Sequence, residues 1–186
     1  DIFLVKYDSN GNIQWTRQVG TSTVDDGHAV TTDSSDNIYI TGRTWGGLDG
    51  SNKPNTCKHV TTVAGKVCSD IFLVKYGSDG EKQWTKQIVA SSREIAYGVA
   101  VDSVGNIYLT GYTSGTLEGV NSGANDIFLI KYSSDGIKQW IEQFGSSEDD
   151  SGLGIRVDSK DNVYVTGYTE GGLDGNTNSG KKDIFL

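Results

Sequence analysis

The residues best suited to chemistry in this chain are carboxylates that recur beside the same landmarks. Asp25 and Asp26 stand before a strand-like stretch that starts at 27. Glu94 takes the matching place before 96, and Glu148, Asp149 and Asp150 lie before 152. Carboxylates that converge bind Ca²⁺ through hard oxygen ligands, or hold a cationic partner. Carboxylates that do not converge are solvated loop charge, and no single one of these loops carries a full ligand set. Asp8-Ser9-Asn10-Gly11-Asn12 opens like an EF-hand loop, but Ile13 replaces the sixth-position Gly and Val19 the twelfth-position Glu, so it reads as a hairpin turn. Trp45 sits beside Gly46 and Gly47 and suits an exposed contact or a sugar-stacking platform. His28 and His59 are the only histidines, and neither sits in a paired nucleophile motif, so a Ser-His-Asp arrangement has no support.

These groups must be positioned by a chain of 186 residues with 25 glycines and one proline. Reversals are therefore made by Gly, Asn, Asp and Ser, and collagen-like or Pro-rich disorder is excluded. With no Met, the core draws on Ile, Val, Leu, Tyr, Phe and Trp, which suit pleated strands. A net charge of -8 speaks against nonspecific binding to nucleic acid or anionic membrane. No apolar run reaches the roughly 18 residues of a membrane span, so no membrane insertion is expected.

Internal repetition is the dominant signal. Asp-Ile-Phe-Leu occurs at 1–4, 70–73, 126–129 and 183–186. The first three copies continue to Lys-Tyr, a Gly turn at Gly11, Gly80 or Gly136, and Gln-Trp at Trp15, Trp84 or Trp140. An Asp-Ser…Asn turn and Ile/Val-Tyr-x-Thr-Gly follow, over 33–42, 102–111 and 158–167. The repeats are 1–69, 70–125 and 126–182, with a fourth begun at 183–186; the stretch 51–69 holds a surface insertion. In 70–76, Ile71, Leu73 and Lys75 face one way and Phe72, Val74 and Tyr76 the other, as in a strand buried between two neighbouring sheets. Four such strands recur per unit, and no stretch carries a helical stripe. Four antiparallel strands per unit of about 50 residues is the signature of an all-β propeller.

The pattern Asp-Ile-Phe-Leu-x-Lys-Tyr, Gly turn, Gln-Trp, Gly-x-x-Val-Asp, Asn-x-Tyr-x-Thr-Gly-x-Thr resembles the bacterial SBBP repeat, named for a seven-bladed β-propeller. The resemblance spans essentially the whole chain. It implies blades with strand A lining a central channel. The first blade is then 27–33, 37–44, 70–76 and 82–88, and the second 96–102, 106–113, 126–132 and 138–144. Residues 152–158 and 162–168 begin a third, which enters its C strand at 183, and 1–19 supply the C and D strands of a preceding one. The expected set is two complete blades plus two half blades. The chain opens inside a repeating unit without an initiator Met, which reads as a piece of a longer protein or one share of an assembly.

In that frame the acidic positions lie in loops around the channel mouth. Trp15, Trp84 and Trp140 are packing residues, whereas Trp45 has Ser114 and Glu170 at its matching positions. The resemblance implies a large bacterial protein, secreted or on the cell surface. In that setting Cys57 and Cys68, both in the insertion, are expected to form a disulfide, ahead of a zinc fragment with His59. The expected role is a noncatalytic module that engages protein or glycan, or further copies of itself through its blade edges. The alternative is a propeller hydrolase or lyase with Asp25, Asp149 and Asp150 at the channel mouth. No cofactor is implied beyond Ca²⁺ at the acidic positions.

Overall fold

The computed structural model describes residues 1–50, 68–90 and 92–186. Thirteen strands and no helix occupy these residues. They form four sheets. Strands β1 (Ile2–Tyr7) and β2 (Ile13–Val19) make the first. The second runs in the order β3 (Asp25–Thr32), β4 (Ile38–Thr44), β5 (Asp70–Tyr76) and β6 (Lys82–Ile88). The third repeats it with β7 (Glu94–Val101), β8 (Ile107–Thr113), β9 (Asp126–Tyr132) and β10 (Lys138–Phe144). The fourth holds β11 (Asp150–Val157), β12 (Val163–Thr169) and β13 (Asp183–Phe185). Every pairing between these strands is antiparallel and joins chain neighbours. These are the two complete and two half blades of the repeat reading. The pairing of 183–185 with β12 places Phe185 opposite Gly167, the register that Phe72 holds opposite Gly42.

The sheets stack side by side, with β7 packed against both β3 and β11. The period of two along β5 decides which sheet each side chain meets. Ile71 and Leu73 enter a core shared with the next sheet, with Ala96, Val99, Leu109 and Phe128. Phe72, Val74 and Tyr76 enter the preceding one, with Ile2, Leu4, Trp15 and Val19. Blade contacts also use the tryptophans and the hairpin glycines. A Cβ at Gly80 would stand 3.0 Å from the Trp15 ring, and one at Gly136 3.2 Å from Trp84. Arg17 Nε donates to Gly80 O across the same junction at 2.7 Å.

The inner strands begin two residues earlier than expected, at Asp25, Glu94 and Asp150 in place of 27, 96 and 152. The cause is a β-bulge. The register slips between Gly27 and Ala29, Ala96 and Gly98, and Gly152 and Gly154, leaving His28, Tyr97 and Leu153 without a partner. A bulge breaks the alternation of side chains while pairing continues beyond it. The carboxylates expected in loops therefore head strands.

The turns behave as the Asx spacing predicts. Asp33 Oδ1 accepts the Asn37 N–H at 3.0 Å and Asp33 Oδ2 accepts Tyr39 Oη–H at 2.9 Å; Asp102 and Asp158 repeat the set with Asn106, Tyr108, Asn162 and Tyr164. Asp8 is held the same way, accepting Asn10 N–H and Asn12 N–H at 2.9 Å each, so its oxygens close a turn.

Candidate functional site

Strands A and C of a blade run parallel, so their first residues lie at the same end of the sheet. That end carries an acid on each. The C strands open with Asp70, Asp126 and Asp183, with Asp1 directly before β1, and the A strands with Asp25, Glu94 and Asp150. Asp25, Glu94, Asp126 and Asp150 are buried. The C-strand acids are gripped by an amide 17 residues downstream: Gln18 Nε2 donates to Asp1 at 2.6 Å, Gln87 to Asp70 at 2.7 Å and Gln143 to Asp126 at 2.9 Å. Asp126 also accepts the Ser122 N–H at 2.8 Å, and Asp183 the Ser179 N–H at 2.5 Å.

The A-strand acids hold the preceding loop. Asp25 accepts Thr21 N–H at 2.6 Å and Thr44 Oγ1–H at 2.5 Å. Asp150 Oδ2 accepts Ser146 N–H at 2.5 Å and Ser146 Oγ–H at 2.9 Å. At the middle junction Ala90 occupies the place of Thr21 and Ser146 and has no hydroxyl. There the longer Glu94 reaches Ser92 Oγ and accepts Thr113 Oγ1–H at 3.1 Å. Burial pushes the Glu94 carboxyl up to about 7, opposed by its bonds from Ser92 and Thr113 and aided by the charge of Asp70.

The sequence-predicted residues thus divide. Asp25, Glu94 and Asp150 are interior strand heads, because hydroxyl and amide donors inside the blade junction receive them. Asp26 is half-buried and pairs with Arg43, whose Nε and Nη2 lie 2.8 and 2.7 Å from its Oδ2. Asp149 accepts Asn125 Nδ2–H at 2.7 Å, and Glu148 is exposed. The six acids do not meet at one point, and among the described residues no group of three or more His, Cys, Asp or Glu has metal-site geometry. Trp45 is half-buried, its backbone N–H donating to Val24 O at 3.0 Å. Cys68 is buried beside Ser69, whereas Cys57 lies outside the described residues and the expected bridge with it.

Sequence reasoning passed over the C-strand acids as landmarks of a motif. The signal was present: a charged residue heads an apolar strand in every copy, with a glutamine at constant spacing. It also missed what faces outward here. Tyr97 stacks on His28 with ring centroids 5.1 Å apart and lies 6.1 Å from Tyr112. The Arg93 guanidinium stands 5.8 Å over Tyr112, and Lys182 Nζ 3.7 Å over Tyr168. Burial raises the Tyr112 hydroxyl above its usual range, against the pull of Arg93. These aromatic and cationic groups are half-buried or exposed, whereas Asp25, Glu94 and Asp150 are buried.

Four-stranded antiparallel sheets, packed side by side with bulged inner strands, make this a β-propeller repeat protein. The chain belongs to the SBBP β-propeller repeat family, whose model matches residues 14–49, 83–117 and 139–174. It is 26% identical over 189 residues to an uncharacterized WD repeat-containing protein of Acanthamoeba polyphaga mimivirus, covering 86% of this chain and 14% of that protein. It is 28% identical over 177 residues to the regulatory protein FlaEY of Caulobacter vibrioides, covering 87% of this chain and 18% of that protein. The chain thus spans less than a fifth of either relative.

Proposed function

We propose that this chain forms part of a noncatalytic interaction module of a bacterial secreted or surface protein, and that it binds protein partners through the blade end described above. One observation carries this reading. Positions that hold the blades repeat, and positions that face outward differ. The Asp–Gln grip, the Asp-Asn-Tyr turn and the Thr-Gly step recur in every unit, whereas His28, Tyr97 and Leu153 share one bulge position, and Arg43, Tyr112 and Tyr168 share another site. A constant frame presenting unlike side chains is how rigid scaffolds carry recognition. Aromatic and Arg residues are the types enriched at protein interfaces. Within this reading Cys57 and Cys68 form a disulfide that closes the insertion.

Two measurements test the proposal. Protease added to intact cells is expected to cleave the protein without lysis; cleavage only after lysis refutes the surface placement. Partners cross-linked at the cell surface are expected to be lost on Y112A/Y168A substitution, with thermal unfolding unchanged. Capture that survives this change refutes the assigned face. Turnover of a glycan or peptide that is abolished by D150N would favour the enzyme reading.

A further inference from the structure

The junction between the last two sheets holds two carboxylates that no cation among the described residues pairs with. Asp126 and Asp150 come from neighbouring blades, and neither is exposed to any degree. Each uses only one oxygen: Asp126 Oδ2 accepts Ser122 N–H and Gln143 Nε2–H, and Asp150 Oδ2 accepts both donors of Ser146. The Oδ1 atoms of both are buried without a partner among the described residues. Among the described residues no ion pair includes either acid. Both carboxylates reach the same glycine. The point where a Cβ on Gly145 would stand is 2.6 Å from the unpartnered Asp126 Oδ1 and 2.8 Å from Asp150 Oδ2. No positive φ requires glycine here; a side chain at this position would collide with both carboxylates.

Buried charges are paired or coordinate metal. We propose that this junction binds a hard divalent cation of the Ca²⁺ class, bridged by Asp126 and Asp150 with backbone carbonyls and water completing its shell. Oxygen ligands and two negative charges suit such an ion. The site differs from the acidic loop surface expected from sequence, since Asp126 lies outside that set. The middle junction supplies the contrast. Val89 stands where Gly145 stands, Glu94 replaces Asp, and burial raises the Glu94 carboxyl. A cation at the Asp126–Asp150 junction would fasten one blade to the next at the carboxylate end.

The test uses the whole chain, stripped with a chelator and dialysed against CaCl₂ near neutral pH. The expected result is one Ca²⁺ bound per chain. A rise in Tm of about 5–10 °C should accompany a hundredfold excess over Kd. Both are expected to vanish in D126N and in D150N and to survive in D149N. Absence of bound Ca²⁺ in the wild-type protein overturns the proposal whether or not the variants fold. Binding that persists in folded D126N overturns it too, by placing the ion elsewhere. Metal-free protein that gains stability on acidification and shows no response to Ca²⁺ would show a shared proton in the cation's place.

Discussion

Glu94 lies wholly inside the protein, and one of its oxygens has no partner among the described residues. Its carboxyl is raised by burial from 4.5 to about 7. The folded state therefore keeps a proton that the unfolded chain releases above pH 4.5, so this group's contribution to stability falls as pH rises from 4.5 to 7 and then levels. The turn aspartates have the opposite sign. For Asp33 and Asp102 the rise from burial is outweighed by bonds from Asn37 and Tyr39, and from Asn106 and Tyr108. Asp158, held chiefly by the Asn162 side chain, is lowered to about 2. Their stabilisation is present above the ordinary value of 3.8 and is lost as pH falls through the lowered ones. Between pH 3.8 and 4.5 the contributions of both sets are present together. E94Q removes the neutral-pH penalty. It is expected to match the wild type below pH 4.5 and to exceed it above pH 7, by about 3 kcal/mol at 1.36 kcal/mol per pH unit. Urea titrations at both ends of that range check it; a variant equally destabilised at both contradicts the assignment.

At the scale of the strands, the Thr-Gly step explains why each blade closes around a bulge. A Cβ on Gly42, Gly111 or Gly167 would stand 1.9 Å from a backbone carbonyl of the inner strand, that of Asp26, Ile95 or Ser151. The adjoining threonine binds the other neighbour: Thr41, Thr110 and Thr166 Oγ1 donate to the carbonyls of Phe72, Phe128 and Phe185. G111A therefore forces strand β8 from β7 and is expected to cost more than about 3 kcal/mol in chemical denaturation. G119A, at a φ of +69° with nothing within 4 Å, is expected to cost about 1–2 kcal/mol from backbone strain alone. Equal costs would deny the close approach. This element was legible in sequence as a motif, and so were the strands, since offsets between landmarks carry register and the period of two carries the sheet faces. The bulge was not. It interrupts the alternation at His28, Tyr97 and Leu153, residues of unlike chemistry, so Asp25, Glu94 and Asp150 read as loop charge. Their burial depends on hydroxyls up to 19 residues away, such as Thr44 and Thr113, and period analysis does not see such partners. The Asp126–Asp150 junction was hidden for the same reason: it joins two blades through a glycine whose only property is having no side chain.

At the scale of the whole molecule, equivalent residues in different sheets have unequal surroundings. Phe72 and Phe128 are fully enclosed, whereas Phe3 in the same motif position is 75% exposed. Ile71 and Ile127 are fully enclosed, whereas Ile184 is 88% exposed. Trp15 and Trp84 rest on the hairpin glycine of the next sheet, and Trp140, in the same place on β10, has no such neighbour among the described residues and stands open. Leu153, Tyr164 and Leu186 extend the apolar surface of the last sheet. Each enclosed copy gains roughly 1.5–3 kcal/mol from burial that its exposed counterpart forgoes, and an uncovered strand edge invites pairing with another chain. The 186-residue chain alone is therefore expected to self-associate, its first and last sheets covering those of other copies. Light scattering on a size-exclusion column should show mass rising with concentration, and F3D with I184D should shift the population to monomer while the β-type circular dichroism spectrum persists. A wild-type chain that stays monomeric at every concentration would mean that these faces tolerate water, and the inference from enclosed to exposed copies would fail.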